Sequence, residues 1–342
     1  MKNHEYFIEK CIELAKQGIK EVSPNPMVGA ILTYDGKIIG KGYHKKYGDN
    51  HAEINAINNV QDKSLLKKST LYVNLEPCCH FGNTPPCTDF IIKNKIPNVI
   101  VGCIDPNSKV AGKGIKKLQE NSVNVIHGIL DKKCEDLNKR FFKFNNQKRP
   151  YIILKWAKSK DNFIAPINQT KPFWMTSEQS KKLVHRWRSE EDAILVGTNT
   201  VNLDNPSLTV RLSSGTNPIR IIIDRNLSLN TNYKIFNPDT KTVIFNEKKT
   251  YNAKTNYYMK VNFNNLIDEI LKELYKFKIT SIIVEGGAYT LDKFIEKDIY
   301  DEIRVFTTKL NLKDGIASPT IPKLKKIFSE KIDSDTLDIY IR

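Results

Sequence analysis

Residues 51–87 constrain this chain more than any other stretch. His51-Ala52-Glu53 opens the segment AEINAINNV, which reads as a helix. The apolar run Thr70 to Leu75 follows as a strand. The chain then enters Pro77-Cys78-Cys79-His80-Phe81-Gly82-Asn83-Thr84-Pro85-Pro86-Cys87, with CTDFIIKNK predicted as the next helix. Three of the six cysteines thus crowd into ten residues beside a histidine and prolines. In a chain of 342 residues that density points to metal binding rather than to a disulfide framework. The other three, Cys11 and Cys134 on helical patterns and Cys103 in a strand, are expected to be small buried apolar residues.

The chemistry that needs these residue types is hydrolytic removal of an amino group from a pyrimidine-like ring. Zinc held by one imidazole and two thiolates keeps a fourth position for water and lowers the pKa of that water. A glutamate that does not bind the metal then carries a proton to the ring nitrogen and on to the departing amine. His51 and Glu53 stand two positions apart, where both can project from the first turn of a helix. Cys87 opens a helix whose dipole favours the thiolate. The deaminase signature H-x-E followed by P-C-x-x-C is matched in H-A-E and P-C, but eight residues separate Cys78 from Cys87. A fully enclosed structural zinc, or a pair of buried thiols, is the competing explanation. Cys79 and His80 are rival ligands, although adjacent thiols seldom aim at one ion.

Around this cluster the pattern is α/β. The opening segment carries Phe7, Cys11, Leu14, Ala15 and Gly18 at helical spacing, an amphipathic helix rather than a leader peptide. GAILTYDGKIIGKGYH alternates as a hairpin turning at Asp35-Gly36. Strands at 98–104 and 123–129 flank the helix GIKKLQEN, which implies a mixed sheet covered on both faces. A charged helix, 131–144, runs into NNQKRP, read as a linker that divides domain 1–147 from domain 148–342. A second αβ series follows: strands in YIILKWAKS, AILVGTNTV, NPIRIIIDRNL, TVIFN, TSIIVEGG and DEIRVFTTKL, and helices in SEQSKKLVHRWRSEED and FNNLIDEILKELYKF. No run is long and apolar enough to cross a bilayer, so the expectation is a soluble, cytoplasmic protein without a membrane partner. The net charge of +16 is spread over the chain without a dense basic tail, so no nucleic-acid partner is expected. A small anionic substrate needs only two or three of those cations.

The long spacing with GNTPPC inside it resembles the bifunctional riboflavin-biosynthesis deaminase–reductase family, whose zinc motif reads P-C-x-H-x-G-x-T-P-P-C. Asn25-Pro26-Met27-Val28-Gly29 and Gly42-Tyr43-His44 extend the resemblance upstream. The resemblance implies a cytidine-deaminase-like three-layer αβα domain with His51, Cys78 and Cys87 on Zn²⁺ and Glu53 as proton shuttle. It places Asn25, His44 and His80 on the substrate. Asn83 stands where the family often has Arg or Lys, which puts a phosphate contact in question.

The second half resembles the family's dihydrofolate-reductase-like domain, which uses NADPH. The matching pieces are Lys155-x-Ala157-x-Ser159-x-Asp161, Trp174-x-Thr176-Ser177, Gly197-Thr198-Asn199-Thr200-Val201, Asp204 to Arg211, and Val284-Glu285-Gly286-Gly287. The resemblance implies dinucleotide contacts from Lys158, Trp174, Thr200, Asp204 and Gly287. It implies substrate contacts from Arg188, Leu208, Arg211 and Glu285. A strand ending in Gly-Gly before a helix also suits a phosphate on physical grounds, though a plain tight turn is an equal reading. Asp204 can instead cap its turn, and Trp174 can be ordinary core. Lys155 and Asp204 are both candidates for the reductase proton donor.

Asn162 in place of glycine, Pro172 near Trp174, Lys158, and a tail after Leu310 without a glycine-rich turn depart from the pattern. The expected function is deamination of a phosphorylated ribosylaminopyrimidine, then reduction of its ribosyl group to ribityl. The rivals are a deaminase whose C-terminal half binds nucleotide without reducing, and a nucleic-acid base deaminase. Assembly of identical chains is left open.

Overall fold

The computed structural model describes residues 2–82, 85–108 and 110–342, so Asn83 and Thr84 of the cysteine loop lie outside the described residues. The chain divides into two units, Met1–Lys148 and Arg149–Arg342.

The first unit comprises α1 (Lys2–Ala15), β1 (Gly29–Tyr34), β2 (Lys37–Tyr43), α2 (Ala52–Asn58), β3 (Thr70–Leu75), α3 (Cys87–Lys93), β4 (Asn98–Cys103), α4 (Lys113–Glu120), β5 (Asn124–Ile126), α5 (Asp131–Leu137) and α6 (Lys139–Gln147). Its sheet runs β2-β1-β3-β4-β5, with β1 antiparallel to both neighbours and β3, β4 and β5 parallel. Period-two alternation decides the layering. Ala30, Leu32, Leu71, Val73, Val99 and Val101 pack on α2, α3 and α4 through Ala52, Ala56, Ile57, Ile91 and Leu118. The residues between them, Ile31, Tyr72 and Ile100, pack on Phe7, Ile8 and Cys11 of α1 and Cys134 of α5. Cys11, Cys103 and Cys134 are all buried free thiols, as expected. Asp35 (φ 48°) and Gly36 (φ 70°) make the left-handed hairpin turn.

The helix expected over 131–144 is broken at Asn138 and resumes through Gln147, so the first part of the expected linker is helical. The break has a cause. Asn138 is buried; its side chain accepts the Met27 N–H (2.8 Å) and donates to the Met27 carbonyl (2.9 Å). Asn74 adds a bond to the same carbonyl (3.1 Å) and accepts the Gly29 N–H (2.7 Å). Two asparagines therefore fix the segment that carries Asn25.

The second unit comprises β6 (Tyr151–Lys158), β7 (Phe163–Ala165), α7 (Glu178–Glu190), β8 (Ala193–Gly197), α8 (Thr198–Asp204), β9 (Ile219–Ile223), β10 (Thr242–Asn246), β11 (Tyr251–Ala253), β12 (Asn256–Lys260), α9 (Leu266–Lys276), β13 (Ser281–Val284), α10 (Ala288–Glu296), β14 (Glu302–Thr307), β15 (Ile316–Ala317), β16 (Lys325–Ile332) and β17 (Asp335–Ile341). Ten strands form one sheet in the order β11-β12-β10-β9-β8-β13-β6-β14-β17-β16, and β15 pairs with β7. Ile152, Leu154 and Trp156 face Ile270 and Leu274 of α9 and Leu291 and Phe294 of α10. Tyr151 and Ile153 face Val184 and Trp187 of α7 and Val201 of α8. The strand expected through AILVGTNTV stops at Gly197. Thr198 starts α8 there, its hydroxyl donating to the Ile223 carbonyl at the end of β9 (2.7 Å).

Gly42 on β2 lies against the helix that starts after His51: an added Cβ would stand 2.5 Å from the Ala56 nitrogen and 2.8 Å from the Ala52 carbonyl oxygen. Gly42→Ala must therefore push backbone on backbone. It is expected to cost the first unit about 1–3 kcal/mol, read as a lower thermal midpoint; a midpoint equal to wild type would mean that α2 has slack against β2.

Candidate active sites

In the first unit, His51 is the residue before α2 and Glu53 lies in its first turn; Cys78 follows β3, and Cys87 opens α3. The fold brings these starts together. The His51 Nδ1 lies 3.5 Å from the Cys78 Sγ and 3.3 Å from the Cys87 Sγ, and the Cys87 N–H donates to the Cys78 Sγ at 3.3 Å. One imidazole nitrogen and two sulfurs lie within 4.8 Å of one another, with no fourth protein donor in the cluster among the described residues. Cys79 and His80 are outside it. Neither sulfur is in a disulfide. This donor set fits zinc with one position left for solvent.

The electrostatics separate the two sulfurs, and the thiolate expected of Cys87 from its helix start falls to Cys78. Hydrogen bonding from Cys87, with His51 beside it, pulls the Cys78 thiol down to about 4. Its proton-sharing with Cys78, together with burial, holds Cys87 well above the usual thiol range. Burial draws His51 down, but Cys78 and Glu53 outweigh it and the net shift is upward. Glu53 is 3% exposed, and burial pushes its carboxyl up to about 7, where it can both take and give a proton.

Beside the three donors is a cavity of about 260 Å³ whose lining includes Asn25, His44, Glu53, His80, Asp105 and Asn107. The buried His44 ring bonds the Asn50 carbonyl through Nδ1 (3.1 Å) and Asn25 Nδ2 through Nε2 (3.2 Å). A carbonyl only accepts, so the ring proton sits on Nδ1 and Nε2 accepts from Asn25. Burial keeps the ring neutral by lowering its pKa. The His80 Nδ1 is buried and has no hydrogen-bond partner among the described residues, which leaves it open to a ligand. Asp105 was not anticipated from sequence; burial pushes its carboxyl up to about 7. It follows parallel strand β4 as Cys78 follows β3, and ligands gather at the carboxyl ends of such strands. Glu76 is likewise buried, accepting N–H groups from Gly112, Gly114 and Ile115, so it fixes the start of α4 beside the cavity.

In the second unit the expected residues form several local groups. Arg188 clasps Glu285 with two bonds of 2.9 Å, and the Lys155 Nζ is 3.6 Å from the same carboxylate. Burial opposes ionisation of Glu285, but Arg188 and Lys155 prevail and hold it down at about 2. Burial lowers Lys155 and raises Asp204, shifting both proton-donor candidates toward neutrality. Arg211 donates to the Thr209 hydroxyl (2.9 Å) and is exposed.

The Thr200 hydroxyl accepts the Gly287 N–H (3.1 Å), joining α8 to the Gly-Gly turn. A Cβ at Gly287 would meet only that hydroxyl, at 3.6 Å, so the space over this turn is an open cradle that suits a dinucleotide phosphate. Asp204 accepts from Gln169 (2.8 Å) across the loop rather than only capping its own turn. Trp174 is 61% exposed, with the Lys181 Nζ 5.3 Å from its ring centroid, so it is not core. Lys158 donates to Asn162 (2.7 Å). Asn162 has φ 67°, the left-handed region that asparagine tolerates best after glycine, so this departure from the family pattern is accommodated. Leu208 differs from expectation: the residue is 2% exposed and packs in the core, with φ 55° in the left-handed region.

Residues 1–103 match the family described as the cytidine and deoxycytidylate deaminase zinc-binding region, and residues 150–310 match the RibD C-terminal domain. The riboflavin biosynthesis protein RibD of Aquifex aeolicus is 38% identical over 319 residues, 91% of this chain and 88% of that protein. The Escherichia coli protein of the same name is 32% identical over 342 residues, covering 94% and 92%. A crystal structure of the Thermotoga maritima diaminohydroxyphosphoribosylaminopyrimidine deaminase/5-amino-6-(5-phosphoribosylamino)uracil reductase superposes with a TM-score of 0.91 at 34% identity, covering 99% of both chains.

Cys87→Ser replaces a buried donor by one that zinc holds poorly. It is expected to leave the purified chain with well under one equivalent of zinc and a less stable first unit; a full equivalent by elemental analysis would move ligation to Cys79 or His80.

Proposed function

This chain belongs to the RibD family of riboflavin-biosynthesis proteins, and from that premise we propose how its own residues divide the work between two reactions. It is a bifunctional enzyme, a zinc-dependent deaminase and an NADPH-dependent reductase acting on a small-molecule substrate. Neither a nucleic-acid base deaminase nor a C-terminal half without reduction is favoured, since both halves match their family and the full-length relatives are covered almost end to end. No helix among the described residues is long and apolar enough to cross a membrane. We assign the enzyme to the cytoplasm because its six cysteines are free and NADPH is drawn from a reducing compartment.

For the deaminase, the observation that carries the assignment is the meeting of His51, Cys78 and Cys87 beside a buried Glu53. When bound, zinc supplies the Lewis acidity that makes water a nucleophile at neutral pH. Glu53, poised near neutrality, takes one proton from the attacking water and gives it to the ring nitrogen, then takes a second from the hydroxyl so added and gives it to the amine as that leaves as ammonia. Neutral His44 holds the Asn25 amide through its Nε2, which leaves the Asn25 amide oxygen as an acceptor for a ring amine. His80, on the wall of the same cavity and with its Nδ1 unbonded among the described residues, is the further ring contact.

For the reductase, NADPH supplies the hydride when bound. Thr200, Asp204 and Gly287, with Lys158 and Trp174, are the assigned dinucleotide contacts, and the open cradle at Gly287 supports this. Arg188, Leu208, Arg211 and Glu285 are assigned to the substrate, Leu208 being the one of the four that lies in the core. Glu285 neutralises Arg188, while Arg211 has no carboxylate within ion-pair distance among the described residues; Arg211 is therefore the cation left for the ribosyl phosphate.

Glu53→Gln should bind zinc normally yet lose deaminase kcat by about 10²-fold or more, because the ligands are intact and the proton carrier is gone. Turnover near wild type would strip Glu53 of its role. Arg211→Ala should raise the reductase KM for the phosphorylated substrate by about tenfold, the worth of one charge-assisted bond; unchanged kinetics would discard the phosphate assignment.

A further inference from the structure

Helix α7 carries Arg188 and, one turn earlier, His185, which the sequence reading did not single out. The imidazole is 4% exposed, and its Nδ1 accepts the backbone N–H of Arg211 at 3.1 Å. Only a lone pair can accept an amide, so the ring is neutral with its proton on Nε2. Its surroundings keep it that way: burial first, then the charges of Arg188 and Arg211, hold its pKa down at about 4, against the opposing pull of Glu285 and the Thr209 carbonyl.

The segment that this bond grips is irregular. Between α8 and β9 the chain passes through Asn205 (φ 39°) and Leu208 (φ 55°), and it is tied again by the Val210 N–H to Asn217 Oδ1 (2.8 Å). His185 and Asn217 thus hold two successive amides just where the chain presents an exposed guanidinium. That guanidinium lies close enough to Arg188 for the two like charges to oppose each other, which lowers the Arg211 pKa after burial has done so. Two cations converging against their own repulsion need a rigid backbone, and a neutral acceptor is the only kind of imidazole that can supply it there.

We propose that His185 is a positioning residue of the reductase site: its Nδ1 lone pair fixes the backbone at Arg211 so that the guanidinium meets the anionic, phosphorylated end of the substrate beside Arg188. The proposal rests on the phosphate role assigned to Arg211 above.

The side chains of asparagine and glutamine place an acceptor near the Nδ1 and Nε2 positions of histidine, respectively. The test compares His185→Asn, His185→Gln, His185→Leu, Arg211→Ala and the double variant His185→Leu/Arg211→Ala by reductase KM and kcat for the phosphorylated substrate. His185→Leu is expected to raise KM about five- to tenfold with kcat within about twofold, as expected when a binding contact is lost. His185→Asn should restore KM to within about twofold of wild type, whereas His185→Gln should not. In the Arg211→Ala background, His185→Leu should add nothing, since a residue that acts through another has no further effect once that one is gone. A wild-type KM in His185→Leu, an effect on kcat alone, or independent losses in the double variant would overturn the proposal while Arg211→Ala stays impaired. A silent Arg211→Ala would instead overturn the Arg211 reading, and the proposal with it. Should His185→Leu not fold, the contrast between the Asn and Gln variants decides: equal KM values would overturn the proposal.

Discussion

An imidazole and two sulfurs must reach one point beyond the carboxyl end of β3, the central strand of the first sheet, and the layout of that unit follows from this requirement. Two of the three donors stand at helix starts, His51 just before α2 and Cys87 at the head of α3; the third follows the end of β3. Helix starts reach one point only if the helices are pressed onto the same face. The alternation of Ala30, Leu32, Leu71, Val73, Val99 and Val101 does this through a shared core with Ala52, Ala56 and Ile91. Gly42 removes the last obstacle, since any side chain there would hold α2 away from β2. The same burial that builds the core also sets Glu53 near neutrality, so packing and proton transfer have one cause.

The second unit solves a different problem. It gathers a carboxylate, Glu285, and two cations, Arg188 and Lys155, in one small region that is largely shielded from solvent. Buried charges survive there because each is paired, and breaking one pair would leave the others uncompensated. Arg211 is the exception, an arginine without an acidic partner among the described residues, held by its backbone rather than by a counter-charge. Paired groups give the site its shape, and the unpaired one gives it a preference for anions.

Much of this was legible in the sequence because it rests on local signals. The hairpin at Asp35-Gly36 and the strands of the first sheet follow from period and turn residues, and the cysteine cluster marks a metal site, whereas the choice of His51, Cys78 and Cys87 over Cys79 and His80 came from the family resemblance. What was missed depends on contacts distant in sequence. Asn138 breaks a helix that its own neighbourhood favours, because its amide is pinned to Met27, 111 residues away. β8 ends at Gly197 because Thr198 finds the end of β9. The hairpin of β16 and β17 escaped notice because β16 is exposed along nearly all its length and so carries no buried–exposed alternation. Asp105 and His185 look like ordinary residues until the fold sets one against a cavity and the other against a backbone amide. Leu208 shows the reverse: a family position for substrate contact whose side chain belongs to the core.

Deamination by this chain requires a three-donor metal site with solvent access, and X-ray absorption at the zinc edge of the purified enzyme reads that site atom by atom. The expected spectrum has two sulfur neighbours at about 2.3 Å, one imidazole and one further light atom supplied by solvent. Three sulfurs, or four protein donors with no solvent atom, would contradict it.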